Sequence, residues 1–257
     1  MTSSLVPPAD LRLEELTVAL QPVMELRTGR VHGFEAFLRG RDGCDIRPKE
    51  LLRRARREHW LEDLEERAQT LAMQAADRFL QDGEILFLNI ESRIPPAARR
   101  FPHLALEISE STGVHRELLD QLHAAHLDLY LDDYGVSRGN LASILDVHPR
   151  GLKIERSIVH GIAQDGTRFA IARTLAGLAR DLGMELIAKG IETSEDLCAA
   201  RRAGFELGQG YYLCHPSLAP SRSWIASTGR LLRGTVIESV TSARRRAYPA
   251  PPIGDRV

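Results

Sequence analysis

Short apolar runs of strand length alternate along the chain with longer segments whose apolar residues recur every three to four positions. The short runs predict strands at 17–23 (TVALQPV), 31–38 (VHGFEAFL), 84–90 (EILFLNI), 104–109 (LALEIS), 127–133 (LDLYLDD), 151–155 (GLKIE), 184–189 (MELIAK) and, less regularly, 205–213 (FELGQGYYL). The intervals predict helices over 48–57, 61–80, 115–125, 139–147, 167–182 and 194–202. In 61–80, Leu64, Ala68, Leu71, Ala72, Ala75, Ala76 and Phe79 make one apolar stripe. Between the first two strands, Thr28-Gly29 suits a hairpin turn. Residues 1–9, with Pro7 and Pro8, and residues 246–257 read as disordered ends. Residues 221–245 read as a helical extension; their mixed periodicity fits packing on the body or meeting a partner.

A sustained strand-helix-strand rhythm implies a largely parallel sheet with helices outside. Polar residues stand at the strand ends: Glu35, Asn89, Glu107, Asp132 with Asp133, Lys153, Lys189 with Glu192 just beyond, and Gln209. In a closed (β/α)8 barrel these ends share one face. In a doubly wound open sheet they spread along an edge. Several carboxylates and an amide oxygen brought together need cations, and hard oxygen ligands suit Mg²⁺, Mn²⁺ or Ca²⁺.

Composition narrows the classes. With 34 Lys plus Arg against 35 Asp plus Glu, the formal charge of -1 gives no chain-wide attraction for a nucleic acid polymer or an anionic membrane. The basic stretch at 53–59 reads as the solvated face of a helical hairpin with opposite charges in reach, the alternative being an RNA-facing patch. At 43% hydrophobic, the 257 residues suffice for one large α/β barrel or two small domains. No apolar run is long enough to span a bilayer and the start lacks the pattern of a secretion signal, so a cytoplasmic location is expected, without membrane insertion. Cys44, Cys198 and Cys214 form no CxxC pair and read as small, mostly buried thiols. No HExxH spacing suggests zinc. The only lysines are Lys49, Lys153 and Lys189, because the chain uses Arg for nearly all its positive charge.

The stretch LQPVMELRTGRVHGFEAFLRG, followed by FLNIES, LEISES, LDDYGVSRGNL, LKIERSIV, IAKGIET and GQGYYL, resembles the EAL domain, a barrel that hydrolyses the bacterial second messenger cyclic di-GMP. The likeness runs from about residue 13 to 220, and several short motifs in the family's order make it specific. It implies a modified (β/α)8 barrel over 10–220 with the first strand antiparallel to the rest. It also implies a cation, Mg²⁺ or Mn²⁺, held by Glu35, Asn89, Glu107 and Asp132. A second cation would be bridged by Asp132 and bound by Asp133 and by the first Glu of the family's EGVE motif. Water between the two metals would attack phosphorus in line. By the same resemblance Lys153 sits near that water, and Gln21, Arg39 and Gln209 contact the nucleotide, Arg39 through a phosphate that its fork suits.

Four departures alter what the likeness implies. EAL reads Glu35-Ala36-Phe37, which keeps the carboxylate. The loop YGVSRGN (134–140), which in the family couples the second metal to a dimer partner, differs from FGTGYSS at several positions. KID reads Lys153-Ile154-Glu155, and EGVE reads Lys189-Gly190-Ile191-Glu192, so an ammonium stands where a second-metal carboxylate is expected. At about 4 Å and an effective dielectric near 20, exchanging attraction for repulsion toward a cation is worth several kcal/mol. At most one tightly held divalent ion is therefore expected.

Plainer readings exist for each residue. Asp132-Asp133 as a turn pair would not explain Asn89 and Glu107 at the preceding strand ends. Glu192 either caps the helix near Thr193-Ser194 or supports the site. Lys153 reads as a barrel-core lysine pairing with Asp132, and Glu110 as a support for nearby backbone. Tyr211 and Tyr212 either stack a guanine or pack in the core. Lys189 is either neutral drift or a stand-in cation pairing with Asp133. The favoured expectation is a degenerate EAL domain with little or no hydrolysis, acting as a cyclic di-GMP receptor or a protein-interaction regulator, with a protein partner or a homodimer. The alternative is an active phosphodiesterase producing the linear dinucleotide, with Glu192 or Glu155 supplying the missing carboxylate.

Overall fold

The computed structural model describes residues 12–41, 46, 48–95, 97–98, 101, 103–110, 116–135 and 141–242. Cys44, the expected disordered ends and most of the altered loop (136–140) lie outside them. Eight strands close a barrel in sequence order: β1 (Thr17–Glu25), β2 (Val31–Arg39), β3 (Ile85–Asn89), β4 (Leu104–Ser109), β5 (Asp128–Tyr134), β6 (Gly151–Ile154), β7 (Glu185–Lys189) and β8 (Leu207–Gln209). Strand β1 pairs antiparallel with both β2 and β8, and every other pairing is parallel. The expected modified barrel with a reversed first strand is what forms. Glu35 is not at the end of its strand, because β2 continues through its pairing with β1 to Arg39; it lies opposite Gln21.

The helices are α1 (Pro48–Arg57), α2 (Leu61–Phe79), α3 (Arg116–Ala124), α4 (Leu141–Val147), α5 (Arg156–Val159), α6 (Gly166–Asp181), α7 (Ser194–Ala203) and α8 (Arg222–Ser242). The short α5 escapes the apolar periodicity because one turn is too brief to show it; Glu155 starts it by accepting from the Ser157 amide. The α2 stripe buries Leu64, Ala72 and Ala76, with Ala72 and Ala76 against the strands. Three of the four arginines of α1 find carboxylates nearby: Arg54 and Arg57 pair with Glu58, and Arg56 with Glu91. Cys214 is buried and Cys198 half-buried. No helix among the described residues is long and apolar enough to cross a membrane.

Helix α8 lies across the end of the barrel where the β1–β2 turn sits. Gly229 approaches Gly29 so closely that a Cβ on either would come within 2.3 Å of the other's carbonyl oxygen. Gly29 also has φ +66°, a left-handed turn position that favours glycine. Arg233 donates to the Thr28 carbonyl (2.8 Å), and Arg222 forks onto Glu84 (2.5 and 2.6 Å) while stacking on Phe79.

Candidate functional site

The site follows from the two-residue period of the strands. One interior layer consists of Val23, Phe87, Ala105, Tyr130, Ile187 and Leu207. Gly33 and Gly151 complete it with no side chain, which makes room for the rings of Phe87 and Tyr130: a Cβ there would lie 2.9 Å and 2.5 Å from them. Stepping two residues along each strand, backward on the reversed β1, reaches Gln21, Glu35, Asn89, Glu107, Asp132, Lys153, Lys189 and Gln209. Every strand thus contributes one polar side chain to a second layer at the mouth, directly above an apolar one.

This layer is tightly bonded. Lys153 is fully buried, 5.5 Å above the Phe87 ring, and its ammonium bonds Glu35 and Glu107, the latter at 2.5 Å. It does not take the expected pairing with Asp132, because Lys189 occupies that carboxylate: Lys189 Nζ lies 2.6 Å from Asp132 Oδ1 and 2.8 Å from Asp133 Oδ1. Two consecutive residues reach one ammonium because the β5–β6 register is irregular between Leu131 and Tyr134, and Asp133 takes φ +53°. Asn89 Nδ2 donates to Glu107 Oε2 (3.2 Å) and Glu35 Oε1 (3.4 Å). Gln209 donates to Gln21 (2.9 Å), which donates to the Cys214 carbonyl (2.7 Å).

The charges do not balance evenly. Burial, then the Glu35 charge, push the Glu107 carboxyl well above the usual carboxylate range against the pull of Lys153. Burial also disfavours ionised Asp132, but Lys153 and Lys189 outweigh it and hold that carboxyl low. Burial works against the Lys189 ammonium; Asp132, Glu35 and Asp133 overcome it and raise that group above its ordinary range.

Oxygens of Glu35, Glu107 and Asp132 lie within 4.8 Å of one another, all three residues buried. With the Asn89 amide beside them, this set of hard oxygen donors fits one divalent cation. The second set offers only Asp132 and Asp133 as carboxylates, and the Lys189 ammonium stands bonded to both.

The remaining candidates lie around the rim. Arg39 ends β2, donating to the Leu38 carbonyl (3.0 Å) with its guanidinium over the Phe37 ring. Glu192 is bonded by Arg156 (2.7 Å) and faces His160 (3.5 Å), while Lys153 and the half-buried Lys189 pair elsewhere. Glu155 is engaged as the cap of α5. The helix expected near Thr193-Ser194 does start there, but Thr193 caps it and Glu192 does not. Glu110 supports the backbone as expected, accepting from Gly135 N (3.2 Å). Tyr211 and Tyr212 are both exposed, with Tyr211 stacked on His215, so neither is a core aromatic. Arg156, which anchors the loop after Lys189, was not singled out from sequence; its only signal is its place next to the altered KID motif.

The profile of the EAL domain matches residues 8–216. The chain belongs to the EAL domain family. It is 24% identical over 230 residues to the cyclic di-GMP phosphodiesterase NbdA of Pseudomonas aeruginosa, covering 80% of this chain and 29% of that one. It is 29% identical over 136 residues to the probable cyclic di-GMP phosphodiesterase PdeD of Escherichia coli K12, covering 51% of this chain and 26% of that one. The chain spans about a quarter of the length of the curated relatives it matches. Among solved structures, Klebsiella pneumoniae BlrP1 in a calcium and cyclic di-GMP complex superposes with a TM-score of 0.68 at 23% identity, covering 82% of this chain and 57% of that one. The FimX EAL domain of P. aeruginosa bound to cyclic di-GMP gives 0.67 at 22%, covering 80% and 93%. These likenesses place the chain among EAL barrels.

Proposed function

We propose that this EAL domain binds cyclic di-GMP at the barrel mouth with little or no hydrolysis, as a receptor or a regulator of a partner protein. The observation that carries this reading is the Lys189 ammonium bonded to both Asp132 and Asp133. A fixed positive charge there takes the place of a second cation: it meets the same two carboxylates but activates no water. Glu35, Asn89, Glu107 and Asp132 hold at most one Mg²⁺ or Mn²⁺, which when bound neutralises phosphate charge. Lys153 keeps Glu35 and Glu107 compensated. Arg39 holds a phosphate from the rim, and Gln21 with Gln209 meets a base or ribose. Glu192 and Glu155 are engaged by Arg156 and the start of α5, which disfavours a substitute carboxylate and hence the active alternative.

Calorimetric titration with cyclic di-GMP, paired with chromatography for the linear dinucleotide in Mg²⁺ and Mn²⁺, tests the reading. Saturable binding with intact ligand is the expected result. Absence of binding at high micromolar ligand would leave only the protein-contact role, and steady accumulation of linear product would overturn the proposal.

A further inference from the structure

The end of the barrel opposite the mouth holds a cavity of about 650 Å³ between α8 and the β1–β2 turn, within the range of small-molecule sites. Its walls carry four arginines, and two of them are already neutralised. Arg30 forks onto Glu25 (2.8 and 3.2 Å), and Arg222 onto Glu84. Arg230 and Arg233 have only neutral partners among the described residues, the Ser227 hydroxyl (2.7 Å) and the Thr28 carbonyl (2.8 Å). They stand three residues apart on α8, neighbours on one helix face. The close Gly29–Gly229 contact fixes the part of α8 that carries them. On a second lining segment, the loop between α2 and β3, Asp82 is a carboxylate with no ion-pair partner among the described residues.

We propose that this floor cavity is a second binding site, for a small phosphorylated metabolite whose phosphate lies between Arg230 and Arg233 and whose hydroxyl or amino group donates to Asp82. Two planar forks side by side match a phosphoryl group, which accepts several charge-assisted hydrogen bonds. A bare phosphate would leave most of the cavity unfilled and Asp82 unmet, whereas a sugar phosphate or a nucleoside monophosphate reaches both walls. The site is separate from the mouth, so its occupancy is independent of the proposed binding of cyclic di-GMP.

Titration of the whole chain with inorganic phosphate, ribose 5-phosphate and guanosine 5′-monophosphate tests this, with the mouth first saturated by cyclic di-GMP. Saturable binding is expected for the two organic phosphates, tighter than for inorganic phosphate. The paired substitution Arg230→Gln with Arg233→Gln should weaken it at least about tenfold, as loss of charge-assisted bonds does. Asp82→Asn should remove the advantage of the organic phosphates over inorganic phosphate. Ribose 5-phosphate against guanosine 5′-monophosphate then tells a sugar-phosphate site from a nucleotide site. No saturable signal up to about 10 mM, a range that covers even weak millimolar sites, would overturn the proposal, and so would an unchanged affinity in the paired variant. Should that variant fold poorly, amide hydrogen exchange on the wild type decides: ribose 5-phosphate must protect residues 28–32 and 222–233, and protection confined elsewhere refutes the site.

Discussion

The two ends of the barrel hold their carboxylates differently: Glu185 at the floor is half-buried, Glu107 at the mouth fully buried. At the floor, Glu185 accepts from Tyr130 Oη (2.8 Å) and Arg150 (3.1 Å) and lies 3.1 Å from His32 Nε2. Burial alone would raise its pKa, but nearby His32 and the bonds from Tyr130 and Arg150 bring it down to about 2. At the mouth, Glu35, Glu107 and Asp132 crowd together and share two ammoniums, and Glu107 sits well above the ordinary range. A carboxylate with a lowered pKa adds stability at neutral pH; one with a raised pKa subtracts from it. The floor is thus built to hold the barrel closed. The mouth keeps a concentration of charge that folding does not require, which is how a binding or catalytic site differs from a structural ion cluster.

The largest effect is expected where the mouth's compensation is removed. Lys153→Met leaves Glu35 and Glu107 with the Asn89 amide but no ammonium between them, and breaking a buried ion pair in this way costs about 3–5 kcal/mol. Urea unfolding at neutral pH should show it, with the deficit shrinking as acid neutralises the stranded carboxyls. A deficit no larger than that of a surface substitution would mean the cluster is not held by Lys153.

Next comes a change at the rim that should leave stability alone. Arg39→Ala is expected to alter unfolding by less than about 0.5 kcal/mol while weakening cyclic di-GMP binding by about 1.5–3 kcal/mol. Equal losses in melting and in affinity would instead make Arg39 a structural residue.

At the floor, Glu185→Gln should cost about 1–3 kcal/mol at neutral pH by weakening the bonds to Tyr130 and Arg150. The pH dependence has a definite sign. Because the folded pKa of Glu185 lies below its unfolded value, its contribution is present above about pH 4.5 and is lost as the pH falls toward about 2. The wild type and the Gln variant should therefore converge in stability over that acid range, and parallel curves would contradict the assignment.

Much of this was legible in the sequence, for a physical reason. The eight strands show as short apolar runs, and the eight mouth residues are polar because a barrel top faces ligand and water; Lys189 and Gln209 mark their strands' ends as plainly as Asn89 does, whereas Glu107 stands two residues before the end of β4. The pairing among them was not legible. Lys153 meets Glu35 and Glu107, and Lys189 displaces it from Asp132, because a register irregularity and a left-handed Asp133 swing two neighbouring carboxylates toward one ammonium. Neither feature leaves a trace in a pattern of period two. The floor network was missed as well: His32, Tyr130, Arg150 and Glu185 lie on or beside four different strands, and each alone reads as ordinary surface or core. For α8 the mixed periodicity has a visible cause, since its buried stripe of Ile225, Thr228, Gly229 and Leu232 interrupts two apolar positions with a hydroxyl and a glycine, with arginine side chains bonding beside it.

The central claim is that Lys189 occupies the place of a second cation. The most direct measurement is the number of Mn²⁺ ions bound per chain in the wild type and in Lys189→Glu, read together with release of the linear dinucleotide from cyclic di-GMP. The account predicts at most one ion and little or no product for the wild type. It predicts a second ion for the variant, with hydrolysis appearing or rising by orders of magnitude. Two ions in the wild type, with turnover in the ordinary enzymatic range of about 1 to 10³ per second, would contradict it.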